Sequence, residues 1–432
     1  MRSRRNNLVV FGFMMIISIL VIISVAPTHR IGFGDYHPDR GYNYSTIRRR
    51  LLGPRSSSSN RPISHCDVIK QVVYIKTHKT GSTTLETLFN RFGFYHNSSF
   101  IFNKHGALGH FESMDLREAD VIKHLLPPLG VEEGDYDKYR NYDTSTIHVR
   151  FYRDVFDRFM ANDTRYVSSV RKPADQWESA FNQFGFRKVI AKLADANNHT
   201  IIVNGSLKLP FDKNNSTLDA INEFLRQPEI YIDALKKWGN VIWHFSHNDQ
   251  TFDLCTDLES TQLYNETLVN RTLDRLVDEL DFVIVNEYFD ESLVVMKKAF
   301  CWDFTDILYV PQNKRVVKDL LPEATRAKIR AFNRADTLLH QRFNESLWKK
   351  IKAYGPDFEK DLDHFRQMLV DVKSECSDEG ETIHKGQSYQ ILNIRPKKNS
   401  TLFCHLLAEN IIGSFNRVYQ RQKNQDLKQS IG

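Results

Sequence analysis

The sequence lacks the spacings that hold metal ions. It has no C-x₂-C pair and no H-E-x-x-H, and His105 with His110 lacks partner ligands, so no metal is assigned. It also lacks a strong excess of charge of either sign. The 59 Lys and Arg against 53 Asp and Glu leave a net charge of +6, and no zinc-finger or RNA-binding signature accompanies it, so nucleic acid is not read as a partner. A local basic site for an anionic ligand fits that balance better. No internal repeat is visible, which sets repeat architectures aside. Cysteine is scarce: Cys66, Cys255, Cys301, Cys376 and Cys404 make an odd count, leaving at least one thiol unpaired or intermolecular and the connectivity open.

One long apolar run is present. Arg2, Arg4 and Arg5 precede an uncharged stretch from Leu8 to Ala26. As a helix, its roughly 19 residues nearly match a bilayer core of about 30 Å. A cleaved signal peptide has a shorter apolar region and a small-x-small site, which Ser24-Val-Ala26 imitates, so length favours an uncleaved anchor. The basic cluster then stays cytosolic and the rest is lumenal. Eleven Asn-x-Ser/Thr sequons agree with that topology: Asn43, Asn97, Asn162, Asn198, Asn204, Asn214, Asn215, Asn265, Asn270, Asn344 and Asn399. Disulfides can persist there. The expected organisation is a cytosolic tail (1–7), an anchor (8–26), a flexible Pro/Gly/Ser/Arg-rich stem (27–64), one large α/β domain (65–372) and a partly disordered C-terminal extension (373–432).

The chemistry begins at Lys76-Thr-His-Lys-Thr-Gly-Ser-Thr-Thr84, between the apolar run Val72-Val-Tyr-Ile75 and a helical-looking Leu85-Glu-Thr-Leu-Phe-Asn-Arg91. A strand, a short loop and a helix N-terminus offer backbone N–H groups to a phosphate. The loop differs from the ATP and GTP loop, in which Lys follows the second Gly; here Lys79 precedes Gly81. The order K-[ST]-[GA]-[ST]-[ST] resembles the 5′-phosphosulfate loop of sulfotransferases that use 3′-phosphoadenylyl sulfate (PAPS). A second element starts at Tyr166. Arg171 ends a strand, Pro173 breaks it, and Trp177, Ala180, Phe181 and Phe184 share one helical face. Arg171 and the Ser179 hydroxyl can grip a phosphate. Their arrangement resembles the 3′-phosphate motif of PAPS sulfotransferases.

Three further strings, Asp281-Phe-Val-Ile-Val-Asn-Glu-Tyr-Phe-Asp-Glu-Ser-Leu-Val-Val-Met-Lys-Lys-Ala-Phe-Cys-Trp302, Asp306-Ile-Leu-Tyr309 and His340-Gln-Arg-Phe-Asn-Glu-Ser-Leu-Trp348, closely resemble the galactose 3-O-sulfotransferases. The similarity covers most of residues 70–360. It implies an α/β P-loop-like PAPS sulfotransferase fold, a central mainly parallel sheet flanked by helices, behind an N-terminal transmembrane helix. It also implies type II Golgi anchorage, PAPS as donor and a galactose-terminated glycolipid or glycoprotein glycan as acceptor. A homodimer is compatible with all of this. Read without the family, Phe282 to Glu287 is a buried strand ending in an acid, as in an ATPase, but the Lys-Ser/Thr that an ATPase needs after Gly81 is missing.

Sulfuryl transfer needs a base for the acceptor hydroxyl and a cation at the departing oxygen. Lys79 is the candidate cation, with Lys76, His78, Thr80, Gly81, Ser82, Thr83 and Thr84 around the 5′-phosphate and Arg171 and Ser179 at the 3′-phosphate. His148, in Ile147-His-Val-Arg-Phe151, is the candidate base, since the segment is similar to a His-x-Arg-Phe motif of the family. The sequence departs from that pattern at Tyr152, where a second His often stands, and His78 stays a rival base. Asn313-Lys-Arg315 is a further candidate cofactor contact. The readings of another class are an inactive lumenal glycan-binding protein of the same fold and a different P-loop nucleotide-dependent transferase.

Overall fold

Strands with no polar face must be covered on both sides, and the described residues include two: Val72–Ile75 (β1) and Phe282–Val285 (β6), every residue of which is buried. The structure, a computed structural model, describes residues 66–104, 121–196, 200–203, 207–210, 216–237, 241–312, 320–385 and 389–425. The expected tail, anchor and stem, His105 and His110, Asn313-Lys-Arg315, the sequons at Asn43, Asn198, Asn204, Asn214 and Asn215, and the chain after 425 lie outside the described residues. Among the described residues no helix is long and apolar enough to cross a membrane.

β1 and β6 share a four-stranded sheet with Thr144–Ser145 (β2) and Arg165–Val170 (β3), in the order β2-β1-β3-β6 and parallel throughout. This is the α/β arrangement the alternation of strands and helices predicts. Two antiparallel hairpins stand apart from it: Thr200–Val203 (β4) with Leu207–Pro210 (β5), and Ser377–Lys385 (β7) with Tyr389–Pro396 (β8). The helices that matter below are Ser82–Tyr95 (α1), Pro173–Gln183 (α2), Asp249–Leu254 (α3), Phe289–Ala299 (α4), Arg334–Tyr354 (α5), Phe358–Cys376 (α6), Leu402–Ala408 (α7) and Ile411–Lys423 (α8).

α2 follows its apolar period: Pro173 takes the first helical position, Ala180 is buried, and Trp177 and Phe181 are buried in a cluster with Phe186, Ile221, Phe224 and Tyr231. Each such side chain contributes about 1.5–3 kcal/mol of apolar burial. On α4, Leu293, Val294 and Met296 are buried beside β6, and Phe300 just after the helix is buried too.

Residues 373–425 belong to the same packing, not to a loose extension. α8 lies on α1, where Asn90 Nδ2 donates to Ser414 Oγ (3.3 Å) and the buried Arg421 donates to the carbonyls of Phe94 (2.8 Å) and Ser98 (2.6 Å). Gln422 pairs with both backbone groups of Phe100. A sequence rich in Lys, Gln and Asn reads as disordered because these amides have backbone partners over 300 residues away. Disulfides join Cys66 to Cys301 and Cys376 to Cys404, leaving buried Cys255 as the unpaired thiol.

Candidate active site

Because the four strands are parallel, their C-terminal ends share one edge, the edge where open α/β sheets bind ligands. Each strand delivers a motif there. β1 leads into Lys76–Gly81, β2 into Ile147 and His148, β3 into Arg171, and β6 into Asn286 and Glu287.

The β1 loop turns tightly into the 14-residue α1, and both Lys79 (φ 62°) and Gly81 (φ 84°) adopt the left-handed conformation. Gly81 is also approached closely: a Cβ there would lie 2.6 Å from Asn286 Nδ2, which donates to the Thr80 carbonyl (3.0 Å). Asn286 thus braces the loop from β6. From below, Ser169 of β3 holds it. Thr77 Oγ1 donates to the Ser169 carbonyl (2.7 Å), and Ser169 Oγ bonds Thr80 Oγ1 (2.7 Å) and Tyr74 Oη (2.8 Å).

Two expected ligand contacts have other work. The Thr80 hydroxyl is fully buried in this network, and Lys76 is buried in an ion pair with Glu86 of α1. Burial pushes the Glu86 carboxyl up and Lys76 opposes it. Neither side chain is placed as the loop motif suggested, because the motif does not reveal which hydroxyls and amines close the loop on itself. Thr84 Oγ1 accepts the Gln312 N–H (3.0 Å) and keeps its own O–H as a donor. Ser82 and Thr83 stand in the first turn of α1.

Arg171 reaches the same loop: its Nη1 donates to the Lys79 carbonyl (3.0 Å). Its backbone is clamped by Gln250, which accepts its N–H (2.8 Å) and donates to its carbonyl (3.0 Å). Ser179 lies on the buried side of α2. Glu287, the acid that resembles the end of an ATPase strand, accepts the Lys172 N–H (2.8 Å) and pairs with His340 (3.0 Å).

The two candidate bases meet. The rings of His78 and His148 stack at 4.4 Å with 12° between planes, and Phe245 packs against His78 at 4.3 Å. His148 Nδ1 lies 3.2 Å from the Lys76 carbonyl. His78 has a carboxylate: Asp253 Oδ2 takes both its Nδ1–H (2.8 Å) and its backbone N–H (3.2 Å). Asp249 Oδ1 lies 3.6 Å from the same Nδ1, and Gln176 donates to Asp249 Oδ2 (2.7 Å) and to the His78 carbonyl (3.0 Å). Burial pushes the Asp249 carboxyl well up, His78 opposes that rise, and the charges of Asp253 and Asp336 add to it.

His78, Asp249 and Asp253 are, among the described residues, the one grouping at metal-ligand spacing, within 4.8 Å of one another. The 2.8 Å bond between His78 and Asp253 accounts for that pair without an ion.

Both acids stand on α3, a six-residue helix whose cap residue Asn248 is left-handed (φ 49°) and gives no side-chain cap. Asp336 of α5 caps it instead. Its carboxylate accepts Thr251 N–H (2.8 Å), Thr251 Oγ1–H (2.7 Å) and Gln250 N–H (3.3 Å). α3 also holds the His148 segment, since Phe151 N–H donates to the Asp253 carbonyl (2.9 Å) and Arg150 Nε to the Phe252 carbonyl (2.9 Å). Asn286, Gln250, Asp253 and Asp336 are absent from the sequence-derived site. The nearest sequence signal is a cluster of polar residues, Ser246-His-Asn-Asp-Gln-Thr251, that ends up largely buried.

A parallel sheet with a Lys-Thr-Gly loop, an arginine touching that loop and stacked imidazoles at one edge is an arrangement able to bind an anionic group. A sequence profile of the galactose-3-O-sulfotransferases matches residues 40–204 and 206–418, and the chain belongs to that family of enzymes. It is 26% identical to a galactosylceramide sulfotransferase from Bos taurus over 379 residues, 87% of this chain and 79% of the relative. It is 28% identical to a galactose-3-O-sulfotransferase 3 from Bos taurus over 294 residues, 66% of this chain and 58% of the relative. Identity to a galactose-3-O-sulfotransferase 2 from Sus scrofa is 25% over 359 residues, 80% of this chain and 77% of the relative.

Proposed function

We propose that this protein transfers the sulfuryl group of PAPS to the 3-hydroxyl of a β-galactose residue, on a glycolipid of galactosylceramide type or on a glycoprotein glycan. It acts in the Golgi lumen, anchored through residues 8–26. The supporting observation is that Lys79, Arg171 and the stacked His78 and His148 converge at one sheet edge in a chain of this family.

The loop fits a phosphate-bearing donor. Left-handed Lys79 and Gly81, braced by Asn286, turn the chain so that the N-terminus of α1 faces the loop. Ser82, Thr83 and Thr84 with the loop N–H groups would hold the 5′-phosphate, and Arg171 with Ser179 the 3′-phosphate. PAPS supplies an electrophilic sulfur and a good leaving group. Lys79 stabilises charge on the departing oxygen. An imidazole takes the acceptor proton while the acceptor oxygen bonds to sulfur and the bond from sulfur to the 5′-phosphate oxygen breaks.

The test is incubation of the full-length protein with radiolabelled PAPS and a panel of galactosides. Label should reach galactosides with a free 3-hydroxyl and spare their 3-O-methyl counterparts. Donor binding with no transfer to any member of the panel would instead favour a glycan-binding role.

A further inference from the structure

A base that becomes positively charged in the reaction gains from a fixed anion, and His78 has one within hydrogen-bond distance: Asp253 Oδ2 lies 2.8 Å from its Nδ1. That carboxylate is buried, 6% exposed, so its field is little screened. It is held on its own side as well, because the Asp253 carbonyl takes the Phe151 N–H and α3 is capped by Asp336. One carboxylate oxygen receives both the ring Nδ1–H and the backbone N–H of His78, which fixes the ring's rotation as well as its tautomer.

We propose that Asp253 is a positioning residue for the transfer. By holding the His78 proton on Nδ1 it makes Nε2 the atom that accepts the acceptor-hydroxyl proton, while His148, stacked face to face, keeps the ring in place. This rests on the sulfotransferase reading above. The proton passes from the sugar oxygen to Nε2, the O–H electron pair forms the new oxygen–sulfur bond, and the pair of the broken bond leaves with adenosine 3′,5′-bisphosphate. The Asp253 carboxylate, 2.8 Å from Nδ1, offsets the imidazolium.

Among the described residues, the groups facing this pair are Asp249 from α3, His148 across the stack, and His244, which interacts electrostatically with Asp253 and with Arg150. Burial holds His244 down at about 4, so it does not change charge over the pH range of interest. Asp249 is the group able to confuse a pH profile, and Asp249→Asn is the control.

The experiment compares full-length parent, Asp253→Asn, Asp253→Glu and Asp249→Asn in two assays. The first is sulfation kinetics over about pH 5–8. Asp253→Asn should lower kcat by about 10²–10³-fold, below the roughly 10⁴-fold seen when a buried triad carboxylate is replaced, and leave KM for PAPS within about threefold. Its acidic limb should move to lower pH, and Asp253→Glu should recover part of the rate. The second is carbethoxylation of His78 by diethyl pyrocarbonate, followed by peptide mass spectrometry, which needs no turnover. The pH dependence of His78 labelling should shift further in Asp253→Asn than in Asp249→Asn. Parent-like kcat and limb in Asp253→Asn, or a loss shared equally with PAPS binding and not relieved by Glu, would overturn the proposal. If the parent transfers no label to any galactoside, the sulfotransferase reading falls; unshifted His78 labelling in Asp253→Asn then removes the positioning role as well.

Discussion

Asp336→Asn tests whether the helix beneath the site is held as described. Asp336 is 1% exposed, and burial pushes its carboxyl from 3.8 up to about 6, against hydrogen bonds from Thr251 and Gln250. A rise of about two units corresponds to about 3 kcal/mol, at 1.36 kcal/mol per unit. The sign follows from proton binding. Between pH 4 and 6 the folded protein holds this proton while the unfolded chain has released it, so this group's contribution to stability falls as pH rises through that window and is level above it. Asparagine does not titrate. The unfolding free energy of Asp336→Asn minus that of the parent should therefore grow by about 3 kcal/mol from pH 4 to pH 7. Its offset at any one pH is a separate matter, because the new amide sets a donor against the Gln250 N–H, at a cost of about 1–3 kcal/mol. Asp249 pushes the same way, since the Asp336 charge raises it and is lost in the variant. Urea unfolding followed by circular dichroism at half-unit steps measures the difference. A difference constant to within about 0.5 kcal/mol would refute the buried-carboxylate account.

Lys79→Ala should cut turnover a hundredfold or more while PAPS binding weakens less, because the charge matters most as the leaving oxygen gains its own; unchanged turnover would remove Lys79 from the chemistry. Arg171→Ala should mainly weaken donor binding, by about 1.5–3 kcal/mol for a lost charged hydrogen bond, and a normal Michaelis constant for PAPS would count against the 3′-phosphate assignment. His78→Ala should abolish the acidic limb of the pH–rate profile, whereas His148→Ala should lower the rate and keep the limb; the opposite pattern returns the base to His148. Peptide N-glycosidase should sharply increase the gel mobility of protein made in secretory cells, and an unmodified product would overturn the lumenal topology.

What could be read from sequence was local. Val72–Ile75 and Phe282–Val285 are apolar without alternation, which is what a covered parallel strand requires, and Pro173 followed by Trp177, Ala180 and Phe181 announces α2. The strand-loop-helix turn at Lys76–Gly81 was legible for the same reason: its three parts are consecutive. β3 was harder. Its Ser168 and Ser169 look like poor strand residues, yet both are fully buried because their hydroxyls bond the Ile75 carbonyl and the loop threonines. Role assignment within the loop also exceeded what the motif carries. Lys76 and Thr80 match a cofactor pattern as well as Lys79 does, and only packing against Glu86 and Ser169 tells them apart.

The larger omission was α3, and its cause is distance along the chain. Asp253 meets His78 across 175 residues and Asp336 meets Thr251 across 85, so no window of sequence contains either pair. Yet this short helix touches three of the segments that meet at the sheet edge. Gln250 clamps the Arg171 backbone, Asp253 Oδ2 bonds His78, and the Phe252 and Asp253 carbonyls hold Arg150 and Phe151 beside His148. Six residues cannot make a helix that is stable alone. α3 must therefore be held by tertiary caps, and Asp336 supplies them with a carboxylate that is costly to bury. A charge is retained at that cost where a misplaced helix would displace Arg171, His78 and the Arg150–Phe151 segment together.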